Sequence, residues 1–499
     1  MDNSSANGPV QNPTYMADIR QFFTDIDIAH MGPKGIDLST YDGVKANAPT
    51  IYIHTRQPDG DMPPDPLPKW TADMSQTFLN WIMNGYPMGS AVAAEALMLK
   101  AAAPAVGRLR KNVSTLSPDE VTALTNAFKG LLAKDPADPG GYCALASIHG
   151  LPAPTYCLHH EPRFNPWHRE YLRVFEDALR SVPGCADVTL PYWDMSMPVP
   201  ALFKQPPFDS YVVPVNLGAR YGTNYQTSRY DDAKIATLLK RYDFAGNTAT
   251  SLQQSTFGHY GVDGYQDTSI AAHDGGHLAI GPTMADQNIA SFDPIFWFFH
   301  CNLDRMWWKW QTLVSGTTLA GFKSTMSTSD QYWLSAPFSA LPPSPPLTAT
   351  ADQTIAQTDI GYDTLDVAGA AGPALMFENK VGSLDALRSF TIKSSAPVSV
   401  RVKDINRLNI PGSFQVDLLA DGEPIATRAF FQPATPNDCA NCRDHGLINV
   451  NFRVDQAEIL DRKLTVEIHV PSQEEAGTSF PLSQAGNPTI NARLLLQDE

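Results

Sequence analysis

The chain has 499 residues, 43% of them apolar and 18% charged, and a formal net charge of -16; that is length for about two or three domains, each with its own core. The acidity argues against a nucleic-acid partner, which needs clustered Lys and Arg to meet phosphates, and against docking on an anionic membrane. No run reaches the ~18 apolar residues of a membrane helix, and the opening Met1-Asp2-Asn3-Ser4-Ser5 lacks the basic-then-apolar order of a secretory signal. A cytoplasmic protein is therefore expected, or a secreted one only if a signal was removed before residue 1.

Residues 1–90 are rich in Pro and Asp and carry short helical stretches at 16–23 and 74–83. Residues 104–335 carry the long helical patterns. Ser117-Pro118-Asp119-Glu120 is a capping box with Pro at the first helical position, and Val121, Leu124, Phe128 and Leu131 follow at helical spacing. A second helix over 166–182 puts Tyr171, Phe175 and Leu179 on one stripe, and His168 shares that stripe, so it points inward. A third helix surrounds His273 and His277; a fourth starts at Asp293-Pro294 and runs through Trp310. Four helices around inward-facing histidines predict a four-helix bundle with a metal site in its core.

Residues 336–350, with Pro337, Pro342, Pro343, Pro345 and Pro346, read as a stiff extended linker. From 351 to 499 the pattern changes to alternating runs at 398–402, 413–418, 447–452 and 464–470, with Asp421-Gly422 as a hairpin turn. This predicts a C-terminal β-sandwich. The fold class is multidomain: a mainly α four-helix-bundle domain, a C-terminal β-sandwich and a small N-terminal helical module.

Chemistry concentrates in two clusters of histidines. His149, His159, His160 and His168 form the first; His273, His277 and His300 form the second. His273 and His277 are four apart, so on a helix they project from one face. His300, from the next helix, completes a three-imidazole set, and His149, His159 and His168 offer another. Imidazole suits zinc, copper, iron and nickel alike, and open three-histidine sites also occur for catalytic zinc. Two such sets facing each other are more telling, because a pair of copper(I) ions can share dioxygen and split its two-electron reduction.

The segments YCLHHEPRFNPWHREYLRVFEDAL, LPYWDM, HDGGHLAIG and FDPIFWFFHCNLDRMWWKWQ resemble the two copper-binding signatures of tyrosinases, catechol oxidases and molluscan hemocyanins. The resemblance covers about residues 108–315 and implies two copper ions. Copper A would be held by His149, His159 and His168, and copper B by His273, His277 and His300. It implies a polyphenol oxidase using dioxygen as co-substrate to turn o-diphenols, and also monophenols, into o-quinones; an o-aminophenol oxidase and a hemocyanin-like oxygen carrier are the alternatives. The partner is a small phenolic molecule, with no nucleic acid and no membrane; the oligomeric state is left open.

The resemblance also implies a thioether between Cys157 and His159, since the cysteine stands two residues before that histidine. His160 is expected behind the ligands or at the surface. Asp304 is expected to accept a hydrogen bond from a ligand imidazole, or else to pair with Arg305 or another basic residue. Asp274 and Leu278 follow the first two copper B histidines, where the family's substrate entrance lies. Asp274 either takes a phenol proton, binds an amine, or is a solvated carboxylate. Many tyrosinases place Asn at that position and a Glu three or four residues before His273; here Ser269 and Ile270 stand there, which favours diphenol over monophenol oxidation.

The stretch 284–289 contains no aromatic residue to plug the copper A side, so a relatively open pocket is expected. Gly275 and Gly276 are each costly in a helix, and close approach of substrate or of another helix would account for them. Cys439, Cys442 and His445 resemble a copper-loading CxxC of fungal C-terminal domains, soft thiolates being selective for copper(I); a local disulfide or two idle thiols are the other readings. The segments around His30-Met31, Asp61-Met62 and Trp81 resemble a cytochrome c domain that has lost its heme-attaching cysteines.

Overall fold

The computed structural model describes residues 8–11, 13–34, 36–58, 60–64, 69–87, 107–152, 156–258, 264–338, 350–357, 359–365, 376–378, 397–470 and 478–497. The readings of the opening residues and of the linker at 339–349 fall outside them.

The N-terminal residues form a small helical module. The expected helix at 16–23 is a π turn, Tyr15–Ile19, followed by a 3-10 turn, Arg20–Phe22, whereas the second stretch is a regular helix, Ala72–Met83, capped by Thr71. The interior is aromatic: Phe78 packs edge to face with Phe23 and Trp70, Trp81 with Tyr86, and Tyr15 with Tyr41. The module touches the rest of the chain through an Arg56 Nη1 to Ser335 Oγ hydrogen bond.

The central region is helical. Pro118–Leu132 begins at the capping box, with both reciprocal hydrogen bonds formed. Tyr142–Ser147, Phe164–Arg180, Tyr265–Ile280 and Ile295–Leu313 follow, joined by Asp232–Arg241 and Phe244–Leu252, which the sequence reading did not mark. Tyr265–Ile280 is buried along nearly its whole length. A helix with no solvent face must pack on all sides, and its two glycines permit this. A Cβ on Gly276 would lie 2.5 Å from the Phe299 ring of the next helix, and one on Gly275 would lie 2.9 Å from Tyr242 Cβ. Packing of neighbouring side chains thus accounts for both.

The sheet region was expected to start at 351, yet residues 350–357 and 359–363 pack with the helices. Ala351 and Ile355 join the helical core, and Ile360–Tyr362 pairs in parallel with Arg108–Arg110. Beyond them lie two antiparallel sheets. One runs Leu464–His469, Phe414–Ala420, Glu423–Phe430; the other runs Met376–Glu378, Thr489–Gln497, Pro397–Asn406, Leu447–Asp455. Both line one apolar cluster that includes Val400, Phe452, Val416 and Ile468. Asp421 and Gly422, with φ of 52° and 84°, make the two-residue hairpin turn that such a left-handed pair allows. The sheets rest on the Tyr265–Ile280 helix through Asn451 Nδ2 to Asp267 Oδ2, 2.8 Å, and on the residue that ends Asp232–Arg241 through Tyr242 OH to Gln415 Oε1, 3.2 Å.

Candidate metal centre

Six imidazoles meet at the centre of the helical region. His149 lies in the turn after Tyr142–Ser147, His159 in the following loop and His168 in Phe164–Arg180; His273 and His277 come from Tyr265–Ile280 and His300 from Ile295–Leu313. None is more than 4% exposed. The His273, His277 and His300 rings lie 4.5–5.3 Å apart, and their ligating nitrogens fall within 4.8 Å of one another. His149, His159 and His168 have ring centroids 5.0–5.7 Å apart, but their nitrogens group differently. His149 and His168 converge with His300, and His159 converges with His149 and Cys157. The two sets interlock, with His168 stacked on His300 at 4.5 Å and His159 on His273 at 5.2 Å.

Hydrogen bonds fix which nitrogen faces inward for three of the six rings. Nδ1–H of His168 donates to Phe164 O and that of His277 to Met284 O, both at 2.8 Å; that of His273 donates to Asp274 Oδ1 at 2.7 Å. Nε2 of His168 and of His273 has no hydrogen-bond partner among the described residues, nor has either nitrogen of His149 or His159. Buried polar atoms are ordinarily paired, so this many orphaned nitrogens mark a place for a metal. The Nε2 atoms of His277 and His300 face each other at 3.1 Å, close to the spacing of two tetrahedral ligands with metal–nitrogen bonds of ~2.0 Å. Burial, followed by the neighbouring rings, lowers the pKa of these histidines below the ordinary 6.5, to about 3 for His149; for His273 burial outweighs the pull of Asp274. They are held neutral, as metal ligation requires.

Several sequence expectations change. Asp274 is 2% exposed, not solvated. Its two oxygens accept from His273 Nδ1 at 2.7 Å and from His160 Nε2 at 2.9 Å. Burial alone would raise its pKa; the His160 ring and then His273 outweigh it and hold the carboxyl at about 2. Asp274 therefore has the imidazole-orienting place that was expected of Asp304. Asp304 instead meets Arg169 Nε at 2.6 Å, Arg110 Nη1 at 3.1 Å and the Tyr362 hydroxyl; of its two expected roles the ion pair is the observed one, and Arg305 pairs with Asp194. His160 is fully buried behind the ligands, not at the surface, with φ of 57°.

The expected open pocket is also corrected. Phe431, just after strand Glu423–Phe430, lies flat on His277, with centroids 3.9 Å apart and planes at 13°, and reaches His149, His159 and His273 within 6.5 Å. Phe430 stacks on His160 at 4.1 Å. Neither phenylalanine was singled out from sequence; the adjacent pair of aromatics was the available signal. Leu278 is 4% exposed and belongs to the helical core. Cys157 is an unbridged buried thiol whose Sγ accepts from Gln287 Nε2 at 3.1 Å. Cys439 and Cys442 form a disulfide, so they offer no thiolate for copper loading in this state, and His445 Nδ1 donates to Asn441 O at 3.0 Å.

Comparison with known proteins agrees with this geometry. Residues 139–213 and 205–313 match the family described as the common central domain of tyrosinase. Hemocyanin 1 of Megathura crenulata is 32% identical over 221 residues, covering 41% of this chain and 6% of that protein. A tyrosinase of a Hahella species is 28% identical over 249 residues, covering 41% of this chain and 53% of that protein. The chain thus matches only a small part of the first of these relatives and about half of the second. The solved tyrosinase of Burkholderia thailandensis shares the fold, with a TM-score of 0.57 at 19% identity over 77% of this chain and all of that one. Together with two histidine triads that suit two copper ions, the family match identifies residues 139–313 as a dicopper domain of the type shared by tyrosinases and hemocyanins.

Proposed function

We propose that this protein is a copper-dependent oxidase that uses dioxygen to convert o-diphenols to o-quinones, with His149, His159 and His168 holding copper A and His273, His277 and His300 holding copper B. The observation that carries the reading is the cluster of buried, neutral imidazoles, most of which keep a nitrogen without a partner among the described residues. When bound, the copper pair supplies two one-electron changes for reducing dioxygen. The residues around it set geometry and exclude water. Asp274 and the Phe164 and Met284 carbonyls fix the ring tautomers. Cys157 is grouped with His149 and His159; a thioether from its sulfur to a His159 ring carbon, formed with loss of the S–H and C–H hydrogens to dioxygen as the two-electron oxidant, would lock that ring.

Diphenols are favoured over monophenols because Asp274 is tied to the His160 and His273 rings through both oxygens and its carboxyl, held at about 2, is too weak a base to take a phenol proton. The same engagement removes the amine-binding role that would have favoured an o-aminophenol. Leu278 is proposed as an apolar wall of the substrate entrance. The sheet region, through Phe431, occupies the face a flat phenol would need and acts as a shield. That plug also gives the oxygen-carrier reading its one specific support.

Oxygen uptake by the copper-loaded full chain with catechol, before and after limited proteolysis, tests the proposal. Uptake only after cleavage is the expected result. No uptake in either sample, with both coppers bound, overturns it in favour of an oxygen carrier.

A further inference from the structure

The disulfide lies beside the plug. Cys439 and Cys442 close the short helix Ala440–Asp444, which is tied to the His159 loop directly and to the plug through Arg407. Asn441 Nδ2 donates to the backbone carbonyl of His159 at 2.8 Å. Arg407 Nη2 donates to Cys442 Sγ at 3.1 Å, while Nε of the same guanidinium donates to Gln432 Oε1 at 3.0 Å. Gln432 directly follows Phe431, and its amide nitrogen bonds the carbonyls of Ile410 and Gly412 at 2.8 Å. The Arg407 guanidinium also lies 4.9 Å over the Phe430 ring. One side chain thus touches the disulfide, the residue after the plug and the ring that stacks on His160.

We infer that Cys439–Cys442 is a redox latch, which holds the Phe430–Phe431 plug and the His159 loop in place when oxidised and releases them when a dithiol reduces it. The inference rests on the oxidase reading only for what the latch regulates. The chemistry is ordinary exchange. A dithiol's thiolate attacks the half-buried Cys439 sulfur, the S–S bond breaks, and the electron pair leaves on Cys442. The second thiol of the reductant then displaces Cys439, so one dithiol becomes a cyclic disulfide and the protein gains two thiols. The leaving sulfur is the one beside Arg407, whose positive charge favours a thiolate. Once freed, a helix of five residues is too short to persist on its own propensity, and Asn441 loses its fixed position under His159.

The test is hydrogen exchange by mass spectrometry on the metal-free full chain, across a series of dithiothreitol redox buffers. Alkylation mapping at each point reports the state of Cys439 and Cys442. Reduction is expected to speed exchange in 156–161 and 429–433 by about fivefold, the change that one hydrogen bond of ordinary net worth supplies, while Ile295–Leu313 is unchanged. C439S/C442S should exchange like the reduced chain and ignore dithiothreitol; N441A should speed 156–161 with the disulfide intact. Both cysteines alkylated with no change in either segment overturns the latch, and this arm needs only the unaltered chain. Catechol oxidation by copper-loaded samples is read in parallel: segments that open without any oxidation leave the latch standing and count against the oxidase.

Discussion

The helical centre and the sheet region bury their cores in opposite ways. The sheets close over Val400, Val416, Phe452 and Ile468, apolar side chains with no polar demand left over. The helices surround six imidazoles, most with a nitrogen that no atom of the described residues satisfies. An apolar core is complete without a ligand, whereas a core with orphaned donors and acceptors is built around something else. The difference teaches where each part draws its stability: both from area removed from water, and the helical centre in addition from metal binding to groups already held in place.

Acid should separate the two regions most. Every site histidine has a folded pKa lowered from 6.5, to about 3 for His149. The unfolded chain therefore takes up protons first as the pH falls. Stability is complete above about 6.5 and declines toward 3. Tryptophan fluorescence of the metal-free chain should show the helical centre unfolding in that window, and copper should shift the transition to lower pH. A transition indifferent to copper would break the comparison. His277→Ala comes next. It should lose about one copper per chain through removal of a ligand, checked by metal analysis, with the sheet region's circular dichroism retained.

Asp304→Asn leaves Arg110 and Arg169 without their shared carboxylate and should cost about 4 kcal/mol, read as a lower thermal midpoint with copper affinity little changed. Were copper lost in proportion, Asp304 would have a metal-orienting role after all. Phe431→Ala should cost about 3 kcal/mol and make the uncleaved chain an active catechol oxidase in an oxygen-uptake assay. Ile468→Val, inside the sheet core, should cost only about 1 kcal/mol in denaturant unfolding and leave oxygen uptake untouched.

The site was legible in sequence where ligands repeat along one helix. His273 and His277 share a face by spacing alone, and His168 sits on the apolar stripe of Tyr171 and Phe175. Local signals of the fold read equally well, among them the Ser117–Glu120 capping box and the Asp421–Gly422 turn. What sequence hid was set by distant contacts. Asp274 reads as a surface carboxylate until His160, held at φ of 57°, is brought against it from a loop 114 residues away. Phe431 belongs to a different layer of the fold from the histidine it covers. Asp304 looks like an imidazole's neighbour by helical spacing, but Arg110 and Arg169 reach it from two other elements.

The parallel pairing of Arg108–Arg110 with Ile360–Tyr362 means that the two ends of the helical region are zipped together across the proline-rich linker. Arg169 adds to the zip by donating to Thr354 O at 3.0 Å and Ile355 O at 3.2 Å. A protease that nicks the chain between 339 and 349 would therefore produce two fragments on a denaturing gel but one particle in solution, with Phe431 still over His277. Release of the plug requires a cut on the far side of that strand, so the position of a nick, rather than its occurrence, would decide whether the centre is uncovered.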